Sequence, residues 1–145
     1  MIRALESRDI DAVLAIQSTC REIAQWNVWD YHRVARGEMA GWVAEEGREL
    51  AGFLIARRVS SDLEILNFAV RDAYRRRGIG AELLRSALEW AQSLQVTHAI
   101  LEVRASNVAA LRFYEGHKFE VVGRRPRYYT SPIEDALLLT AKLGG

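Results

Sequence analysis

A mixed α/β sheet with helices on both faces is the architecture this sequence predicts, and three observations predict it. Ile79, Leu83, Leu84, Ala87, Leu88, Ala91 and Leu94 keep a 3.6-residue period, the mark of a long amphipathic helix. That helix lies between two apolar runs, residues 63–70 and 98–103, so a strand–helix–strand crossover places the two strands parallel, with a right-handed connection. Short apolar runs with turn residues between them stand before and after this unit, which adds antiparallel hairpins to the parallel pair. The expectation is therefore a mostly antiparallel sheet with a central parallel strand pair, built as one domain over residues 1–145. A ligand crevice is expected beyond the C-terminal ends of the parallel strands.

Each element has its own signal. Residues 2–5 read as a short first strand, with Ser7 as a helix cap and Asp9 and Asp11 in the first turn. Ile10, Val13, Leu14 and Ile16 then form a helical stripe to about Cys20, and a second helix is expected over 30–36. Strands follow at 42–45 and 50–59, joined through Glu46-Gly47-Arg48, and then at 63–70. The long helix starts near Gly78. After the strand at 98–103, Asn107 caps a helix that ends near His117, and strands at 119–122 and 133–140 close the chain. The order is β-α-α-β-β-β-α-β-α-β-β.

Composition narrows the functional classes. A net charge of +1 with 27% charged residues argues against wholesale coating of nucleic acid, so any anion site must be local. Cys20 is the only cysteine, which excludes an intrachain disulfide and fits a reducing cytoplasm. The opening residues carry no apolar leader segment, and no run approaches the ~18 apolar residues of a membrane span. The three histidines are scattered without ligand spacing, so no metal site is expected. No Gly-x-Ser-x-Gly elbow supports a serine nucleophile.

The most informative stretch is Val70-Arg71-Asp72-Ala73-Tyr74-Arg75-Arg76-Arg77-Gly78-Ile79-Gly80-Ala81. It joins a strand to the start of the long helix. Two glycines let backbone N–H groups approach a ligand, and the helix N-terminus supplies free donors and partial positive charge. That combination suits a pyrophosphate. The spacing lacks the third glycine of a dinucleotide fingerprint and the Gly-Lys-Ser/Thr of a P-loop. On these residues alone, a merely solvated basic turn remains an equal alternative.

Arg-x-x-Gly-x-Gly after a strand ending in Ala69-Val70 resembles the coenzyme A motif of the GNAT superfamily of N-acetyltransferases, and the resemblance spans the whole chain. Leu101-Glu102-Val103-Arg104-Ala105-Ser106-Asn107, Ala110-Leu111-Arg112-Phe113-Tyr114-Glu115, and Arg127-Tyr128-Tyr129 followed by Glu134-Asp135-Ala136 are similar to its RimI-type branch. The resemblance implies acetyl-CoA as co-substrate and the N-terminal α-amine of a protein, typically a ribosomal one, as acceptor. It also implies that the backbone of Phe68, Ala69 and Val70 pairs with the pantetheine arm. Arg75, Arg76, Arg77, Gly78, Ile79, Gly80 and Ala81 would hold the pyrophosphate, and Asn107 would contact the coenzyme. One position departs from the pattern: Lys118 stands where the family usually has glycine before the phenylalanine of the sixth strand, which a negative φ would tolerate.

Acetyl transfer to an amine needs a neutral amine, a polarised carbonyl and a proton for the departing thiolate. Glu102, in an otherwise apolar strand, is the candidate on the amine side; the alternative is a strand-end carboxylate paired with Arg104. An α-amine with pKa ~8 needs no strong base, so Glu102 is expected to orient a water that removes the proton. Tyr114 follows Asn107 and Leu111 at helical spacing and is the candidate at sulfur; the alternative is a core aromatic like Phe113. A phenol at ~10 is a weaker acid than a thiol at ~8.5, so its expected role is hydrogen-bond donation to developing negative charge. Glu64 is the second candidate base, or else a solvent-facing carboxylate. Trp26 and Trp29, and Tyr128 and Tyr129, fall on two expected loops; Trp26 and Tyr128 are the candidate acceptor contacts, and for each tryptophan a lid over the core is the alternative. Two other functions stay open, a small-molecule amine acetyltransferase and a non-catalytic acyl-CoA-binding module. Neither membrane nor nucleic acid is an expected partner.

Overall fold

The computed structural model describes residues 1–144. The elements run β1 (Ile2–Ala4), α1 (Ile10–Ser18), α2 (Val28–Ala35), β2 (Ala40–Glu46), β3 (Glu49–Val59), β4 (Asp62–Val70), α3 (Ile79–Ser93), β5 (His98–Arg104), α4 (Val108–Gly116), β6 (Glu120–Thr130) and β7 (Ile133–Lys142). Among the described residues, seven strands form one open sheet in the order β1-β2-β3-β4-β5-β7-β6. Among these strands β4 and β5 pair in parallel, and every other pair of neighbours is antiparallel. The element order and the central parallel pair agree with the sequence expectation.

The central strands explain the two-sided core. In β3, residues 50–56 are all buried, as expected of a strand covered on both faces. Leu54 and Ala56 pack with Leu83, Leu84, Ala87 and Ala91 of α3 on one face. Phe53 and Ile55 pack with Val13, Ile16, Tyr31 and Val34 of α1 and α2 on the other. Burying each such large side chain is worth about 1.5–3 kcal/mol, so β3 is the mechanical centre of the domain.

Several local expectations need correction. Ser7 does not cap α1: residues 7–9 form a short 3-10 turn, and the Asp9 carboxylate reaches back to accept the Glu6 N–H at 2.8 Å. Arg3 then holds Asp9 through its two terminal guanidinium nitrogens, at 2.8 and 2.7 Å. The second helix starts at Val28 rather than 30, because the Asn27 side chain accepts the Asp30 N–H. Tyr128 and Tyr129 do not lie on a loop. They belong to β6, which runs on to Thr130 with register shifts around Gly123 and the Pro126 region.

Lys118 also departs from expectation. Its φ is +70°, not negative. The end of α4 is a Schellman turn: Lys118 N–H donates to Glu115 O at 3.2 Å and Phe119 N–H to Tyr114 O at 3.0 Å. The position needs left-handed backbone, which glycine adopts freely and lysine only at a cost.

Candidate active site

The site begins with a parting of strands. β4 and β5 pair only over 62–64 and 98–100. Beyond that, β4 stays with β3 as far as Val70, and β5 stays with β7 as far as Arg104. The register between β3 and β4 slips at this point, from Ala56↔Ile65 to Ile55↔Asn67, so Leu66 is a bulge residue. A bulge adds twist and bend, and it exchanges the faces. Leu63 and Ile65 before it, and Phe68 and Val70 after it, contact the same α3-side core. The β5-facing edge of β4 past Glu64 therefore has no strand partner along Phe68, Ala69 and Val70.

One pocket of about 590 Å³ lies on the α3 side of this gap, lined by Phe68, Ala69 and Val70, by the 74–81 turn and by Asn107, Ala110, Phe113 and Tyr114. The first α3 bond is Glu82 N–H to Gly78 O, so the N–H groups of Ile79, Gly80 and Ala81 have no helical acceptor. The two glycines serve different ends. Gly78 has φ +80° with open space where a Cβ would stand, so it is needed for backbone conformation. A Cβ on Gly80 would stand 3.4 Å from the Phe113 ring and 3.7 Å from Phe68, so its smallness lets those rings close against the helix. Arg75 donates to Val70 O at 3.2 Å and pairs with Asp72 at 3.0 Å. Arg75 and Arg76 line the pocket; Arg77 is not among its lining residues and lies over the Tyr74 ring at 5.3 Å.

A second pocket, also about 590 Å³, opens from the same gap between the 21–25 segment and the β6–β7 hairpin. Glu64, Asn67, Glu102, Arg104, Tyr128 and Tyr129 are on its wall. Glu102 lies on the face of β5 opposite buried Leu101 and Val103. Its Oε2 is buried without a hydrogen bond, and the nearest cation is Arg125 Nε at 3.6 Å. Arg104 does not pair with Glu102. It binds Glu134 at 3.1 Å and covers the Tyr129 ring at 4.3 Å, while Glu134 also accepts the Ser106 N–H at 2.7 Å. Glu64 is held by Arg57 at 2.8 Å.

Six residues line both pockets: Glu22, Ile23, Phe68, Asn107, Ala110 and Tyr114. Asn107 caps α4 by accepting the Ala110 N–H at 3.2 Å, which commits its oxygen and leaves its amide NH₂ uncommitted to the cap. Asn107, Ala110 and Tyr114 follow at i, i+3 and i+7 along the lining face; Leu111 packs into the α3-side core instead. Tyr114 is 8% exposed, and burial alone pushes its phenol well above the usual tyrosine range. It therefore keeps its proton and is suited to donating one hydrogen bond.

Of the expected acceptor contacts, Tyr128 is on the wall and half exposed, whereas Trp26 lines neither pocket and packs on Tyr31 at 5.3 Å. Sequence reasoning missed Glu22, Ile23, Ala24 and Gln25 because their segment has no periodicity. Ala110 could have been found from its place one turn after Asn107. Among the described residues no group of His, Cys, Asp and Glu is placed to hold a metal, and no helix is long and apolar enough to cross a membrane.

A splayed parallel pair, an open strand edge leading to a helix N-terminus, and a second pocket reached through the gap define an acyl-CoA-dependent transferase fold. Residues 9–119 match the model of the acetyltransferase (GNAT) family, and the chain belongs to that family. It is thus an N-acetyltransferase that uses acetyl-CoA. The chain is 29% identical over 140 residues, 95% of it and 94% of the relative, to [ribosomal protein bS18]-alanine N-acetyltransferase of Escherichia coli (strain K12). The crystal structure of the ribosomal-protein-S18-alanine N-acetyltransferase from Escherichia coli superposes with TM-score 0.88 at 27% identity, covering 100% of this chain and 94% of that one. Arabidopsis thaliana NAA60 in complex with acetyl-CoA shares the fold, with TM-score 0.87 at 22% identity over 100% and 98% of the two chains.

Proposed function

We propose that this chain acetylates the N-terminal α-amine of a protein, a ribosomal protein being the leading class of acceptor, with Glu102 and Tyr114 as its catalytic residues. One observation carries the reading: the two pockets meet at Tyr114 and Asn107, and Glu102 stands on the wall of the pocket away from the α3 turn. The similarity to alanine N-acetyltransferases over nearly the full chain supports the α-amine as the acceptor group.

The residues present fit acetyl-CoA. The free N–H groups of Ile79, Gly80 and Ala81, with Arg75 and Arg76 beside them, suit the pyrophosphate. The unpaired edge at Phe68, Ala69 and Val70 suits the amide-bearing arm, which would add to the sheet as a strand does. Asn107 would donate to it through its free amide. When bound, acetyl-CoA supplies the acetyl group as an activated thioester.

The chain's own residues then divide the proton work. Glu102 draws the proton from the attacking amine through an oriented water, since an α-amine of pKa ~8 is already partly neutral at physiological pH. Tyr114 donates a hydrogen bond where negative charge develops on sulfur. A phenol is ordinarily the weaker acid by ~2 kcal/mol and burial raises Tyr114 further, so it donates a hydrogen bond to the departing thiolate, which takes its proton from water.

Mass spectrometry of a panel of N-terminal peptides and free amines incubated with acetyl-CoA tests the assignment. Acetyl label on peptide α-amines is the expected result. Label on internal lysines or small amines alone would overturn it, and coenzyme binding with no transfer to any amine would point to a binding module.

A further inference from the structure

Beneath the acceptor pocket lies a polar cluster that the chemistry above does not use. Gln17, Tyr31 and Asn67 are 6%, 0% and 4% exposed, so each is inside an otherwise apolar core. They come from α1, α2 and β4. Tyr31 donates its hydroxyl to Gln17 Oε1 and accepts from Asn67 Nδ2 at 2.9 Å. Buried polar side chains are costly unless bonded, and three in contact make sense only if their remaining bonds do something useful.

The remaining bonds that form go to one loop, while Asn67 Oδ1 is buried without a partner. Asn67 Nδ2 donates to Ala24 O at 3.1 Å. Gln17 Nε2 donates to Trp26 O at 2.9 Å, and Gln17 Oε1 accepts the Trp26 N–H at 3.1 Å. Gln17 thus grips the Trp26 peptide on both sides, as a paired strand would. Residues 21–25 of this loop form one wall of the acceptor pocket, facing the hairpin that carries Tyr128 and Tyr129. The loop is neither helix nor strand, so it has no ladder of its own to fix its height above the sheet.

We propose that Gln17, Tyr31 and Asn67 form a buried strut that sets the acceptor loop, with Gln17 and Tyr31, which do not line the pocket, as positioning residues that govern acceptor affinity without touching the acceptor. The inference rests on the assignment of that pocket to the acceptor. The Tyr31 phenol is pushed well above its ordinary range, by burial first, against a smaller opposing pull from the Asn67 hydrogen bond. The strut therefore stays neutral, and its effect does not switch with pH in the working range.

Tyr31→Phe keeps the ring and removes the link; Gln17→Met keeps approximate length and volume and frees the Trp26 peptide. Phe53→Leu is the control, since Phe53 packs edge-on against Tyr31 at 5.9 Å but belongs to no polar bond of the cluster. Two readouts are taken on variants shown by melting to be folded: amide hydrogen exchange at Trp26, and steady-state kinetics with the best peptide of the panel. Both strut variants should speed exchange at Trp26 and raise the peptide KM on the order of 10-fold, the worth of about one hydrogen bond, with kcat and acetyl-CoA KM changed less than about twofold. Phe53→Leu should leave the peptide KM unchanged. Unaltered exchange at Trp26 would overturn the strut itself, independently of any substrate. Faster exchange with an unaltered peptide KM, or an equal rise in Phe53→Leu, would overturn its link to the acceptor. Failure of the wild-type protein to acetylate any peptide would instead defeat the acceptor assignment, with the exchange result still deciding the strut.

Discussion

The two sides of the proposed active site are built by different means. The proposed coenzyme side is made of backbone: an unpaired strand edge at positions 68–70 and a helix N-terminus whose first N–H groups are free. The acceptor side is made of side chains. Residues 21–26 are held by Gln17 and Asn67, and the hairpin is held by Arg104, Glu134 and Asp135. A backbone site serves one constant ligand, because its geometry follows from the elements that end there. A side-chain frame can be altered one residue at a time, which suits a pocket that must choose among acceptors.

That contrast suggests how each side breaks. The largest effect is expected at Gly78. Valine there must adopt φ +80°, a conformation that costs a β-branched residue about 1–3 kcal/mol, and relief of the strain would move the first turn of α3. Gly78→Val should raise the acetyl-CoA KM by 10-fold or more and leave the peptide KM nearly unchanged. Calorimetric titration giving wild-type coenzyme affinity for a folded Gly78→Val protein would remove that turn from the coenzyme site. Gly80→Ala should do less, because the new methyl meets only aromatic ring atoms at 3.4 Å and beyond.

A smaller effect separates stability from both pockets. Lys118 occupies the left-handed position of the turn that closes α4, so Lys118→Gly relieves strain at an exposed site. Stability should rise by about 1 kcal/mol in denaturant titration, with both KM values unchanged. A loss of stability would mean that the lysine side chain contributes something its φ does not reveal.

The same contrast explains what could be read in the sequence. The proposed coenzyme side was legible because it follows from punctuation: a strand ending at Val70, glycines at 78 and 80, and a strong helical period after them. The two glycines could not be told apart there, since only coordinates separate a left-handed backbone from an aromatic contact. Asn107 was legible as a cap, and Tyr114 as its neighbour two turns on. The acceptor side was largely hidden. The hairpin carries Arg124-Arg125-Pro126-Arg127 where a strand normally alternates, so it reads as a loop, yet β7 pairs with it through register shifts that take up Pro126 to Tyr128. The strut joins residues 17, 31 and 67 to a loop at 24–26, and no local pattern announces bonds across 43 residues. Lys118 was misread because a lysine suggests ordinary backbone, while the turn it sits in demands the opposite.

The division of labour between Glu102 and Tyr114 is the central claim, and paired pH–rate profiles of Glu102→Gln and Tyr114→Phe with a peptide acceptor test it most directly. Tyr114→Phe should lower kcat on the order of 10²-fold at every pH, because its defect lies at the sulfur. The Glu102→Gln defect should shrink as pH rises past ~8, where the α-amine no longer needs help losing its proton. With chemistry rate-limiting, a Glu102→Gln protein equally impaired at all pH values, or a fully active Tyr114→Phe protein, would contradict the account.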